Sequence, residues 1–205
     1  MQQRRIPLVC LVVFALGLML SETGAKDRFT WLLEVLPALV AAPILVATYR
    51  RFRFTNMVYV LVTIHAGILM LGGHYTYAEV PLGFWMERAF HLARNDYDRI
   101  GHFAQGFVPA LVAREILIRK KVVRGGWLVL FVMSFCMAVS ALYELFEWAA
   151  AVWTSDGATA FLGTQGDPWD TQEDMFMCLV GASVALVAMS RLHDRALKSY
   201  VSPNA

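Results

Sequence analysis

Three short polar runs, set inside apolar sequence, carry the side chains with which this chain could do chemistry. Asp98, His102 and Gln105 are spaced by four residues and then three, and Ser140, Glu144 and Glu147 repeat that spacing. Asp170, Asp174, Cys178 and Gly181 follow steps of four, four and three. On an α-helix such steps return to one face. One imidazole with up to five carboxylates (Asp98, Glu144, Glu147, Asp170, Asp174) offers the nitrogen and hard oxygen ligands that suit a divalent cation, the one cofactor this residue set suggests. The same groups could supply a general acid and a general base, because burial and mutual repulsion separate neighbouring carboxyl groups in acidity. His102, Glu144, Glu147 and Asp98 are therefore the candidate catalytic residues. His102, Glu144, Glu147, Asp170 and Asp174 are the candidate metal ligands.

The elements that must position these groups are membrane helices. Hydrophobic residues make up 58% of the 205-residue chain and charged residues 17%, against about 45–50% and about 25% in a soluble domain. A net charge of +2 shows no basic excess for nucleic acid. Cys10, Cys136 and Cys178 each sit in an apolar run and read as small packing residues. A spanning helix needs about 20 mostly apolar residues. Six stretches meet or approach this, at about 6–21, 29–48, 56–72, 97–118, 127–150 and 172–190. The expectation is an all-α polytopic bundle of six transmembrane helices, forming one integral membrane domain over residues 1–205. The first stretch also fits a cleavable signal peptide, although no clean A-x-A site precedes Lys26.

Orientation follows from the basic residues. Segments 1–5, 49–55, 119–126 and 191–205 hold Arg4, Arg5, Arg50, Arg51, Arg53, Arg119, Lys120, Lys121, Arg124, Arg191, Arg195 and Lys198, twelve of the 18 lysines and arginines. The positive-inside rule then makes those segments, and both termini, cytoplasmic. Between spans three and four, Leu82, Trp85, Met86, Ala89, Leu92 and Ala93 recur at helical spacing and predict an interfacial helix over 82–94. The last outer loop, Thr154 to Trp169, contains Gly157, Gly163 and Gly166 and little periodicity.

With this topology His102, Glu144, Glu147 and Asp174 lie one to two turns below the same outer surface. An ionisable group at the centre of a span costs at least about 2.5–3.5 kcal/mol to insert, so these groups are expected to face one another around an outward-opening polar cavity. Other readings apply to individual residues. Asp170-Thr171-Gln172-Glu173 has the form of a capping box, and Asp98 could cap span four. Arg114 reads as a snorkelling anchor, and mid-span His65 as a packing histidine. Glu34, about one turn inside span two, could join the cavity.

Tyr97-Asp98-Arg99-Ile100-Gly101-His102-Phe103, Ser140-Ala141-Leu142-Tyr143-Glu144-Leu145-Phe146-Glu147-Trp148 and Gly163 through Met175 resemble the YjdF-type bacterial inner-membrane proteins, a family of unknown function. The resemblance implies an inner-membrane location. A more distant similarity reaches VanZ-like membrane proteins, where Asp98/His102, Glu144 and Asp174/Gly181 fit an order of Asp-x-x-x-His, then Glu, then Asp, and Cys178 stands where an Asn is expected. Three readings stay open on these residues: a metal-assisted hydrolase or transferase acting on an envelope lipid or glycan, a small ion- or proton-coupled transporter, and a non-catalytic membrane scaffold. The partners these imply are the lipid bilayer and a lipid or glycan substrate, with no nucleic acid.

Overall fold

The structure is a computed structural model that describes residues 2–154, 164–198 and 200. Gly157 and Gly163, expected in the last outer loop, lie outside the described residues. The elements are α1 (Gln2–Glu22), α2 (Arg28–Thr48), α3 (Asn56–Tyr75), a 3-10 turn (Tyr77–Glu79), α4 (Pro81–Phe90), α5 (Tyr97–Arg119), α6 (Gly126–Thr154), α7 (Asp170–Val184), a π-helical turn (Ala185–Met189) and α8 (Ser190–Leu197). No strand occurs among the described residues, and the fold is all-α. Residues Arg5–Glu22 of α1, all of α2, α3 and α6, and the continuous stretch Asp170–Leu197 are long and apolar enough to cross a membrane. Helix α5 has 23 residues, about 35 Å at 1.5 Å per residue. It falls short on composition, because Asp98, Arg99, His102, Arg114 and Glu115 interrupt it.

Helix starts are set by local side chains. Asp27 caps α2, its Oδ1 accepting from the Thr30 amide at 2.6 Å. That bond holds the Asp27 carboxyl below its ordinary range. Thr55 caps α3 through the Val58 amide. The helix predicted over 82–94 runs over Pro81–Phe90 as α4. It stops because His91 adopts the left-handed conformation (φ 55°), with the Leu92 amide turning back to the Glu87 carbonyl. Leu82, Phe84, Trp85 and Phe90 on this helix remain exposed.

Helix α5 is the centre of the packing. It lies against α3, α6 and α7, while α1 and α2 pack on α3. The closest of these interfaces, α5 on α7, is made by two glycines. A Cβ placed on Gly106 would stand 1.9 Å from the Cys178 carbonyl oxygen, and one on Gly181 would stand 2.0 Å from that of Phe103. Only hydrogen at these two positions lets the backbones meet, as small residues do between membrane helices generally. The Cys136 thiol donates to the Gly106 carbonyl and the Cys178 thiol to the Cys136 carbonyl, both at 3.6 Å. Both cysteines are fully buried packing residues.

At the end of α5 away from His102, a second polar group forms. Glu115 accepts from the Thr55 amide and hydroxyl (both 2.9 Å), from Arg119 Nη1 (2.7 Å) and from His193 Nε2 (3.1 Å). Arg114 is buried, with Nη2 donating to Asp194 Oδ1 at 2.7 Å and Nη1 lying 3.3 Å from His193 Nδ1. The expected snorkelling anchor is therefore an interior partner of α8. Its guanidinium lies between the buried His193 imidazole and the exposed Asp194 carboxylate.

Candidate functional site

Helices α5, α6 and α7 bring most of the predicted site residues together. His102 is buried, and its Nε2 lies 3.5 Å from Asp98 Oδ1 and 4.0 Å from Asp174 Oδ2. Its Nδ1 lies 3.7 Å from Glu144 Oε1 and 3.1 Å from Gln105 Oε1. One ligand atom each from Asp98, His102 and Asp174 falls within 4.8 Å of the others. Two nitrogen or oxygen ligands sharing an ion at about 2.1 Å stand at most about 4.2 Å apart. Contraction by about half an ångström would thus let these three hold one cation. The close approach of α5 and α7 at Gly106 and Gly181 is what brings Asp174 to His102.

Two carboxylate oxygens of this cluster have no hydrogen-bond partner. Asp174 Oδ1 and Glu144 Oε1 are buried and unsatisfied, a state that costs about 1–3 kcal/mol or more for a charged group. Carboxylates gathered away from water also repel unless a positive charge stands among them. Glu147 is buried next to them, with Asp98, Glu144, Glu34 and Asp174 as its charged neighbours.

Asp170 has a different environment. Its carboxylate is held by Arg94 Nη2, and the N-cap position of α7 is Trp169, whose amide donates to Asp167 Oδ1 at 2.9 Å. Glu173 pairs with Arg99. The capping-box pattern at 170–173 is thus spent on ion pairs, because Arg94 and Arg99 stand opposite and a guanidinium is a stronger partner than a helix amide. Arg94 also binds the Thr164 carbonyl (2.6 Å) and Asp96 Oδ1 (3.2 Å). Although burial works against its charge, Asp170, Asp96 and Asp167 hold the Arg94 guanidinium above its ordinary value. Asp98 does not cap α5 either. Buried Asn95 does related work two residues before the helix, its Oδ1 accepting from the Tyr97 amide at 3.2 Å while its Nδ2 donates to the Val80 carbonyl at 3.0 Å.

The cluster also borders a chamber of about 610 Å³ lying among α1, α2, α3, α5 and α6. Asp98, His102 and Gln105 stand on its α5 wall, Glu34 on its α2 wall and Tyr143 on α6, while most remaining lining residues are apolar. The Tyr143 hydroxyl donates to Glu34 Oε2 at 3.4 Å, and its ring meets the His102 ring edge-on with centroids 6.2 Å apart. His65 lines the same chamber. The sequence lets Glu34 join the cavity but gives Tyr143, Arg94 and Asn95 no role in the site. The signal for Glu34 was a lone carboxylate inside an apolar run. Arg94 offered none, since its partner is 76 residues away.

Comparison with known proteins agrees with this architecture. Residues 6–195 match the family described as "Predicted membrane protein (DUF2238)". The chain is 51% identical over 188 residues to "Inner membrane protein YjdF" of Escherichia coli (strain K12), covering 90% of each sequence. No solved structure matches. With several helices apolar enough to cross a bilayer, the protein is a multi-pass protein of the bacterial inner membrane. It belongs to the DUF2238 family of membrane proteins.

Proposed function

We propose that Asp98, His102 and Asp174, with Glu144 beside them, hold a divalent cation and form the reacting centre of a metal-assisted hydrolase or transferase that works on an envelope lipid or glycan. The observation that carries this reading is that one ligand atom each from Asp98, His102 and Asp174 lies within 4.8 Å of the others, with Asp174 Oδ1 buried and unsatisfied. A bound cation would give Asp174 a partner and offset the gathered negative charge, including that of Glu144 beside the other ring nitrogen. It would also polarise a substrate oxygen or make a bound water more acidic. Glu144 or Glu147 would then serve as the general base. Asp170 stays outside the ligand set, since Arg94 already holds it.

The same proposal has six spans, with α5 as the sixth, both termini in the cytoplasm, and the His102 end of α5 towards the periplasm. The basic segments 49–55 and 119–126 stand at the opposite end, as positive-inside bias requires. Insertion of α5 is favoured because its charged groups find partners on α3, α7 and α8 rather than lipid.

Metal analysis of the full chain purified in detergent tests the centre. About one equivalent of a divalent metal is expected in the unmodified protein, with loss of it in His102→Ala and weaker binding, hence a lowered content, in Asp174→Asn. A metal-free protein after exposure to excess zinc, manganese or magnesium would refute the reading.

A further inference from the structure

The 610 Å³ chamber continues well beyond the polar cluster. Along α2 its wall runs from Glu34 to Tyr49, 15 residues and so about 22 Å. Along α5 it runs from Asp98 to Val112, about 21 Å. One leaflet of hydrocarbon is about 15 Å deep, half of a core of about 30 Å. All the way down, the walls are chiefly aliphatic and aromatic, among them Leu11, Leu45, Val62, Leu69 and Val108. Every charged or imidazole group on them belongs to the polar end except His65.

The chamber is also open at its side. Helix α2 packs on α3 and not extensively on α5 or α6. Leu8, Leu11, Val46 and Phe135 line the chamber and are at the same time exposed on the apolar surface. A free sugar would gain nothing from such walls, and water would find few partners along them. A hydrocarbon chain fits: it can enter sideways from the bilayer and lie lengthwise. The volume suits a ligand of intermediate size, inside the range of about 300–1,000 Å³ usual for binding pockets.

We infer that the chamber receives one hydrocarbon chain of a membrane lipid and presents that lipid's polar head to Asp98 and His102, so that the substrate is a lipid rather than a free glycan. The inference rests on the cluster being the reacting end, as proposed above. Glu34, Gln105 and Tyr143 would then surround the head, while α1, α2, α3, α5 and α6 enclose the tail.

The test uses the full chain in proteoliposomes with hexadecyl phosphate carrying a diazirine in mid-chain, irradiated and mapped by peptide mass spectrometry. Metal content is measured on the same samples. Half-buried Ala41 and Val139 line the chamber, and replacing either by tryptophan fills it from a position where the helix can accommodate bulk. Cross-links are expected on chamber residues such as Val62, Leu69 and Val108. They should fall at least fivefold in both Ala41→Trp and Val139→Trp, with metal retained. Cross-links spread evenly over exposed apolar positions such as Leu142 and Val187, or unchanged in both tryptophan variants, would overturn the inference. Cross-links displaced by tryptophan in a protein that binds no metal would refute the cation reading and leave the lipid chamber standing.

Discussion

His193 Nε2 lies 3.1 Å from Glu115 Oε2, and neither side chain has any exposed surface. The pair joins α8 to the end of α5, and through Thr55 to the start of α3. With Nε2 donating to the carboxylate, Nδ1 of a neutral ring can accept from Arg114 Nη1, so one tautomer satisfies both neighbours. Removing a partner leaves buried charge without compensation. Glu115→Ala should therefore cost about 3–5 kcal/mol of stability, and His193→Ala about 1–3 kcal/mol. Thermal unfolding in detergent reads both, and a loss within error for Glu115→Ala would contradict the role assigned to the network.

The π-helical turn at Ala185–Met189 decides whether that pair can form. Asp174 and His193 are nineteen residues apart, which in a regular α-helix would leave them about 100° apart around the axis. The extra residue of a π turn takes up that difference, and both side chains face α5. Deleting Val187, which lies in the turn and is exposed, should yield a regular helix with both faces still aligned and little change in melting temperature. Inserting an alanine after Val187 should rotate α8 by about 100° and break the His193–Glu115 pair. The measurement is melting temperature for the two variants side by side; equal losses would contradict the phase argument.

Gly106 and Gly181 set the distance between α5 and α7, and therefore between His102 and Asp174. Gly106→Ala and Gly181→Ala each force a Cβ against a backbone carbonyl, for which overpacking costs of about 1–3 kcal/mol are usual. Because the helices must separate, metal occupancy should fall in both variants although neither glycine is a ligand. Gly67→Ala is the control, as nothing lies within 4 Å of its added Cβ. Stoichiometric metal in all three variants would show that the cluster tolerates a wider gap.

Helix periodicity made much of this legible in the sequence. Asp98 and His102 share a face by their spacing, as do Asp174, Cys178 and Gly181, and the cost of polar groups in an apolar run requires those faces to meet. The contacts the sequence hid are those that depend on three-dimensional neighbours. Asp170 followed by Glu173 reads as a cap until Arg94 and Arg99 are seen opposite. Arg114 reads as an anchor until Asp194 comes within 2.7 Å. His193 sits in a charged terminal stretch, one turn before buried Leu197, where a lone imidazole does not announce its partner, and the π turn that carries it inward has no sequence signature. The chamber beside the cluster was not legible either: it is chiefly apolar because α1, α2 and α3 contribute walls on which the polar faces of α5 and α6 have no say.

A cation held by Asp98, His102 and Asp174 must compete with protons for those ligands. Each carboxylate has to be ionised and the imidazole neutral for binding, so metal affinity should weaken as pH falls, by about tenfold per pH unit for each proton displaced. Asp174→Asn keeps the shape of the side chain and removes one such proton. Its remaining metal binding should be weaker at neutral pH and less steeply dependent on acidification. Arg94→Ala, which frees Asp170 without touching the cluster, should lower stability through the lost ion pairs and leave the slope unchanged. Metal titrations between pH 5 and about pH 8, the window in which histidine ordinarily changes charge, measure all three. A steep slope shared by the unmodified protein and Asp174→Asn would place the cation on other ligands.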